Sequence, residues 1–251
     1  MTNFLKNKFH LMLGFILLPA LIFISVYSLD QKGFFQIDQI HIDTTTSSTQ
    51  KNYIIPQVES LKAKLEVFKG ASLWRFPLSQ VSAILQSEDW IKEYRLSRSW
   101  PSSLSIEIEP QAVAYLIQTN DAGSSTTFTP VTQEGKLLKK IDSKQAPNTV
   151  IVHDHTFVQN AKIREGALKV LSSMPTQGRL HPALISEIGY DKKEGYWIRL
   201  IQSEMKINFG EEQFEIKSAR VTQVLDYLEN HDLKARVIDA NLSKKVLVRM
   251  H

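Results

Sequence analysis

Between Lys8 and Asp30 lie 21 residues, Phe9 to Leu29, with no formal charge among them when His10 is neutral. A helix needs roughly 20 apolar residues to cross a hydrocarbon core about 30 Å thick. No second apolar run of that length follows in residues 34–251. The run therefore predicts a short tail at residues 1–8, one transmembrane helix at 9–29, and a larger body beyond it. Lys6 and Lys8 precede the run, Asp30 closes it, and Lys32 is the first basic residue after it. That bias places the N-terminus in the cytoplasm and the body outside it. A cleaved signal peptide is the rival reading, and Val26-Tyr27-Ser28 resembles a cleavage site. Such peptides carry an apolar stretch of only about 7–15 residues. Here the stretch is longer and holds bulky Leu21, Ile22 and Phe23 in its second half, so an uncleaved anchor is expected. Pro19 fits, since helix-breaking residues are tolerated in membrane helices.

Charge and cysteine content narrow the functions open to the body. The formal net charge of +4 includes Lys6 and Lys8, which leaves +2 for residues 30–251. That near-balance gives no electrostatic case for nucleic acid. The chain has no cysteine, which excludes disulfides, thiolate catalysis and cysteine metal sites.

Periodicity organises the body. Phe34 to Ile42 reads as a first strand with a slip in phase between Ile37 and Ile40. Ile55, Val58, Leu61 and Leu65 follow a helical period, with Pro56 in the first turn, and Gly70 ends that segment. A second helix starts near Pro77, with Leu78, Val81, Ile84 and Leu85 inward. After Trp90, Tyr94 and Leu96 alternate. Past the turn at Ser99 to Ser102, Leu104, Ile106 and Ile108 alternate with Ser105, Glu107 and Glu109, the pattern of a half-buried strand. Residues 34–110 thus read strand, helix, helix, strand, strand.

From Gln111 the pattern becomes richer in strands. A buried-strand run at Ala112 to Ile117 and a short strand at Thr149 to Val152 flank a hairpin around Glu134-Gly135. Ile163, Ala167, Val170, Leu171 and Met174 form a helical stripe stopped by Pro175. Strands at Tyr196 to Ile201 and Met205 to Phe209 precede a helix over Lys217 to Leu228, with Val221, Val224, Leu225 and Leu228 inward. Val237 to Ala240 and Val246 to Met250 make a closing hairpin.

This order resembles the FtsQ/DivIB family of bacterial cell-division proteins over nearly the whole chain. Gly70-Ala71-Ser72-Leu73 is similar to the glycine turn between the two helices of the family's POTRA domain. Trp90-Ile91, Tyr94 and Arg98-Ser99-Trp100-Pro101 resemble its arginine-x-tryptophan-proline turn. Glu109 with Val113-Ala114, Glu134-Gly135 with Leu137-Leu138, Ile207 to Gly210 with Lys217, and Val237-Ile238-Asp239 match its later motifs. The chain departs from the pattern at Pro110-Gln111-Ala112 and at Ala240-Asn241. The resemblance implies an α+β fold. A single N-terminal transmembrane helix leads into a βααββ POTRA domain (34–110), then a β-rich domain (111–251) with a mixed or antiparallel sheet and flanking helices. It also implies a scaffold rather than an enzyme, without cofactors. The scaffold sits in the bacterial inner membrane at the division septum and binds membrane-anchored partners of the FtsB and FtsL type.

The route this implies is strand addition, in which a partner segment completes the unpaired N–H and C=O groups of a sheet edge. The candidate edge is the C-terminal strand, Val246, Leu247, Val248, Arg249 and Met250, with Leu242 and Lys244 in the turn before it. Trp74, Arg75 and Phe76 form an apolar-basic cluster that is either a second interaction site near the membrane or plain loop packing. Gly70, Arg98, Trp100 and Pro101 are expected to serve structure, the indole covering its turn and Pro101 fixing the backbone. Two other classes compete. His153 and His155 share one face of a strand, but zinc takes three or four ligands, and His181 and His231 are distant in sequence. A POTRA protein of secretion or outer-membrane assembly would carry several POTRA units and a barrel, for which residues 111–251 hold too few strands.

Overall fold

The computed structural model describes residues 2–46, 48–119, 126–201, 203–242 and 245–250, with the backbone alone for residues 2–16. Helix α1, Thr2–Gln31, runs through the whole uncharged stretch, with Pro19 inside it. Leu17, Leu18, Leu21, Ile22, Phe23 and Ile24 are all exposed, on every side of the helix. Among the residues described with their side chains, which in α1 begin at Leu17, no helix is long and apolar enough to cross a membrane.

The chain divides into two compact units, the first of residues 1–45 and 57–110 and the second of residues 46–56 and 111–251. In the first, β1 (Gln39–Thr44) leads to α2 (Lys51–Leu65, counted here from residue 57), α3 (Leu78–Ser87), β2 (Ile91–Ser99) and β3 (Ser103–Pro110). β3 is central, parallel to β1 and antiparallel to β2. Its alternation is realised: Leu104, Ile106 and Ile108 are fully buried, while Glu107 and Glu109 face water. Leu61 and Leu65 of α2, Val81 and Leu85 of α3, and Trp90 are buried as well. Each such side chain contributes roughly 1.5–3 kcal/mol on leaving water.

Two sequence readings change here. The first strand begins at Gln39, not Phe34. Phe35 to Ile37 instead bonds to the turn after α2, through Ile37 N–H to Ala71 O (2.9 Å) and Leu73 N–H to Phe35 O (2.7 Å). The slip in phase is thus a change of partner. Helix α2 begins five residues ahead of Pro56, which puts Tyr53 and Ile54 inside and leaves Ile55 exposed.

The second unit is one nine-stranded mixed sheet. It contains β4 (Val113–Thr119), β5 (Thr127–Thr132), β6 (Ile141–Asp142), β7 (Val150–Val152), β8 (Ile185–Asp191), β9 (Gly195–Leu200), β10 (Lys206–Gly210), β11 (Ala235–Asp239) and β12 (Leu247–Met250). Its helices are a short α4 (Thr156–Gln159), α5 (Ala161–Ser172) and α6 (Phe214–Asn230). The spatial order is β12-β11-β10-β9-β8-β7-β4-β5-β6, an open sheet with β12 and β6 at its ends. Asn160 caps α5 by accepting from the Lys162 and Ile163 amides at 3.0 and 3.3 Å. Ile163, Ala167 and Val170 of α5 and Val221, Leu225 and Leu228 of α6 join Ile188, Ile198, Ile207 and Ile238 of the sheet in a single core. Strand β8 has no counterpart in the sequence reading, because a register shift between Ile185 and Glu187 breaks its alternation.

Candidate partner-binding site

The C-terminal strand lies where its sequence position suggests. Asn241 N–H bonds to Asp239 Oδ1 (3.0 Å) at the end of β11. β12 then runs back antiparallel, with Leu247 opposite Asp239, Val248 opposite Ile238, Arg249 opposite Val237 and Met250 opposite Ala235. β11 is its one neighbour among the described residues. Val246 and Val248 pack on the core, whereas Leu247 and Met250 are 48% and 46% exposed. Leu242 is exposed in the turn, Arg249 is exposed on the strand, and Lys244 lies outside the described residues.

Beside this edge, α6 supplies what the sequence reading did not single out. Val224, Tyr227, Leu228 and Leu233 border a shallow apolar groove closed on its other side by Val248 and Met250. Tyr227 is 57% exposed and stacks on His231 at 4.1 Å between ring centroids. The signal was present as an aromatic at helical spacing from Val224, one position off the buried stripe.

The other edges are guarded. β6 has only two residues, and very short edge strands offer little to pair with. At the edges of the first unit's sheet, β2 carries Lys92, Glu93, Arg95 and Arg98, and β1 turns Gln39, His41 and Asp43 outward. Charge along an edge discourages strand addition. β12 combines a free edge, exposed apolar side chains and an adjoining groove.

Interior polar groups fix the scaffold behind this edge. Lys217 of α6 is buried and donates to Phe209 O at 2.7 Å, and burial pulls its pKa below the usual lysine value. It thereby ties α6 to the end of β10. There Gly210 has φ +74°, and a Cβ would strike the Asn241 side chain. Tyr196 of β9 donates to Ile163 O of α5 at 3.1 Å, and burial pushes its pKa up to about 12. Burial also raises Tyr115 of β4, which donates to Arg164 O at 3.4 Å.

In the first unit, Trp74 and Arg75 are exposed, but Phe76 is buried, 4.9 Å from the Phe68 ring. The Arg98 guanidinium donates to Leu73 O and Phe76 O, both at 2.8 Å, and so holds the loop between α2 and α3. Gly70, at φ +85°, opens that loop in a conformation glycine adopts without strain. Trp100 projects from its turn, with Pro101 exposed beside it. His153 and His155 lie past β7, which ends at Val152, so no strand gives them the shared face the sequence reading expected. His153 Nε2 lies 3.5 Å from Glu187, and the Asp154 carboxylate accepts from Thr156 N–H and Oγ1 at 2.8 and 2.6 Å. No metal-holding group of three or more His, Cys, Asp or Glu occurs among the described residues.

Comparison with known proteins agrees with this architecture. Residues 35–109 match the FtsQ-type POTRA domain, and residues 122–241 match the C-terminal domain of cell division protein FtsQ/DivIB. A cell division protein FtsQ of Geobacter sp. (strain M21) is 26% identical over 190 residues. That alignment covers 72% of this chain and 66% of the relative, just under two thirds of its length. With both domains matched in the order in which the fold presents them, the chain belongs to the FtsQ/DivIB family of cell division proteins.

Proposed function

We propose that this protein is a membrane-anchored, non-enzymatic scaffold of the bacterial division machinery. On this reading α1 crosses the inner membrane once, with its N-terminus in the cytoplasm. The body lies outside, at the septum. The uncharged run, and the exposure of apolar side chains on every side of α1 from Leu17 on, support the anchor, because a helix that is apolar on every face belongs in a core or a bilayer. The partner is a membrane-anchored division protein of the FtsB or FtsL type, bound as an added strand on β12 with apolar side chains seated against α6.

The observation that carries this reading is the edge itself. Among the described residues β12 has a single neighbour, two exposed apolar side chains and an apolar groove alongside. Strand addition supplies main-chain hydrogen bonds for affinity and side-chain pockets for specificity. Amide hydrogen exchange on the full chain, with and without an FtsB-type partner, tests it. The expected result is new protection at Leu247 to Met250, with β6 and β2 unchanged. Protection confined to other strands would falsify the proposed route.

A further inference from the structure

Four rings gather beside the end of α1. Phe34 and Phe35 meet edge to face at 5.1 Å, Phe35 lies 5.8 Å from Trp100 and 6.5 Å from Trp74, and the two indoles are 5.5 Å apart. Trp74 and Trp100 are 60% and 52% exposed, and Phe34 is exposed as well. Rings of this size turned toward water are costly, yet the cluster is fixed from behind. Arg98 holds the carbonyls on either side of Trp74 and Arg75. Asp30, in the last turn of α1, accepts from Ser72 Oγ at 2.7 Å and pairs with Arg75 at 3.2 Å. Arg75 also lies over the Tyr27 ring, 5.7 Å from its centroid.

Those contacts lock the rings to the helix end, and Phe34 follows closely after Leu29, where the uncharged run stops. Tryptophan suits the boundary between lipid and water, because its body is apolar and its single N–H stays wet. We infer that the Phe34, Phe35, Trp74 and Trp100 cluster is a lipid-contact surface. It seats the first unit in the headgroup region of the bilayer that α1 enters. This rests on the anchor proposed above. A partner strand is the poorer occupant, because the nearby backbone from Phe35 to Leu73 is already paired with itself.

The test uses the full chain in vesicles of phosphatidylethanolamine and phosphatidylglycerol, part of the lipid brominated near the carbonyl end of its chains. Bromine quenches tryptophans lodged at that depth. The wild type is expected to lose emission approaching the share of two tryptophans among four. W74S/W100S, with an unchanged far-UV circular dichroism spectrum, is expected to lose a markedly smaller share of its emission, since the two rings assigned to the lipid are gone and Trp90 is buried. Flotation of the same vesicles reads the anchor separately. A chain that does not float overturns the anchor, and this inference with it. A chain that floats but shows equal quenching in both variants, or none in either, overturns the lipid contact alone. So does capture of a division protein by these rings without lipid quenching.

Discussion

Two exposed apolar patches on this protein are built in opposite ways. The patch around Trp74 and Trp100 is made of rings on turns, and the backbone beneath it is already hydrogen-bonded. The patch at β12 is a sheet edge, with apolar side chains beside a backbone that has one strand neighbour. The first offers area without direction, which suits a fluid surface. The second offers direction as well as area, which suits a peptide in one register. Apolar exposure alone does not distinguish the two uses; the state of the adjacent backbone does.

Removing residues 246–251 from the full chain is the strongest way to break this contrast. Capture of an FtsB-type partner should weaken at least about 100-fold, near 3 kcal/mol, while circular dichroism shows the body still folded. Undiminished affinity would make the edge irrelevant. Arg98→Ala addresses the other patch. Loss of two hydrogen bonds from a charged group should cost about 2 kcal/mol in urea unfolding of the first unit. Partner affinity should not change; if it falls in parallel, the two patches are not independent.

Tyr227→Ala sharpens the account of the β12 side. Truncating this half-exposed ring should weaken partner binding roughly tenfold, about 1.4 kcal/mol, by calorimetry, with little change in melting temperature. The last test is alkaline. Burial raises Tyr196 from 10.0 to about 12, so the unfolded chain releases that proton first. Its contribution is therefore complete below pH 10 and is lost as pH rises toward 12. Tyr115, raised for the same reason, adds to the loss, and both belong to the second unit. Urea midpoints followed across this range should fall for the second unit. Replacing Tyr196 by Phe should flatten the curve.

Much of the fold was legible where one element keeps one period. Val81 and Leu85, then Leu104, Ile106 and Ile108, then Ile163, Ala167 and Val170 are buried as their spacing predicts. The closing hairpin was legible too, down to β12 as its last strand. The reading failed where the chain changes partner or register within one apolar stretch. Phe34 to Ile42 serves two different neighbours, and Ile185 to Asp191 contains a shifted pairing. Periodicity assumes a single neighbour, so it showed the slip between Ile37 and Ile40 without its cause and missed the shifted pairing of β8.

The uncharged run, the lack of cysteine and the order of elements in residues 34–110 were determined by the sequence alone, because each depends on composition or on local spacing. The family resemblance followed from that order. The tertiary structure decided which edges of the nine-stranded sheet are free and that α6 lies beside one of them. It also decided that Arg98 braces the loop carrying Trp74, and that Phe76 turns inward while Trp74 stays out. Strand order and side-chain exposure depend on contacts between residues far apart in the chain. No local pattern of side chains carries that information.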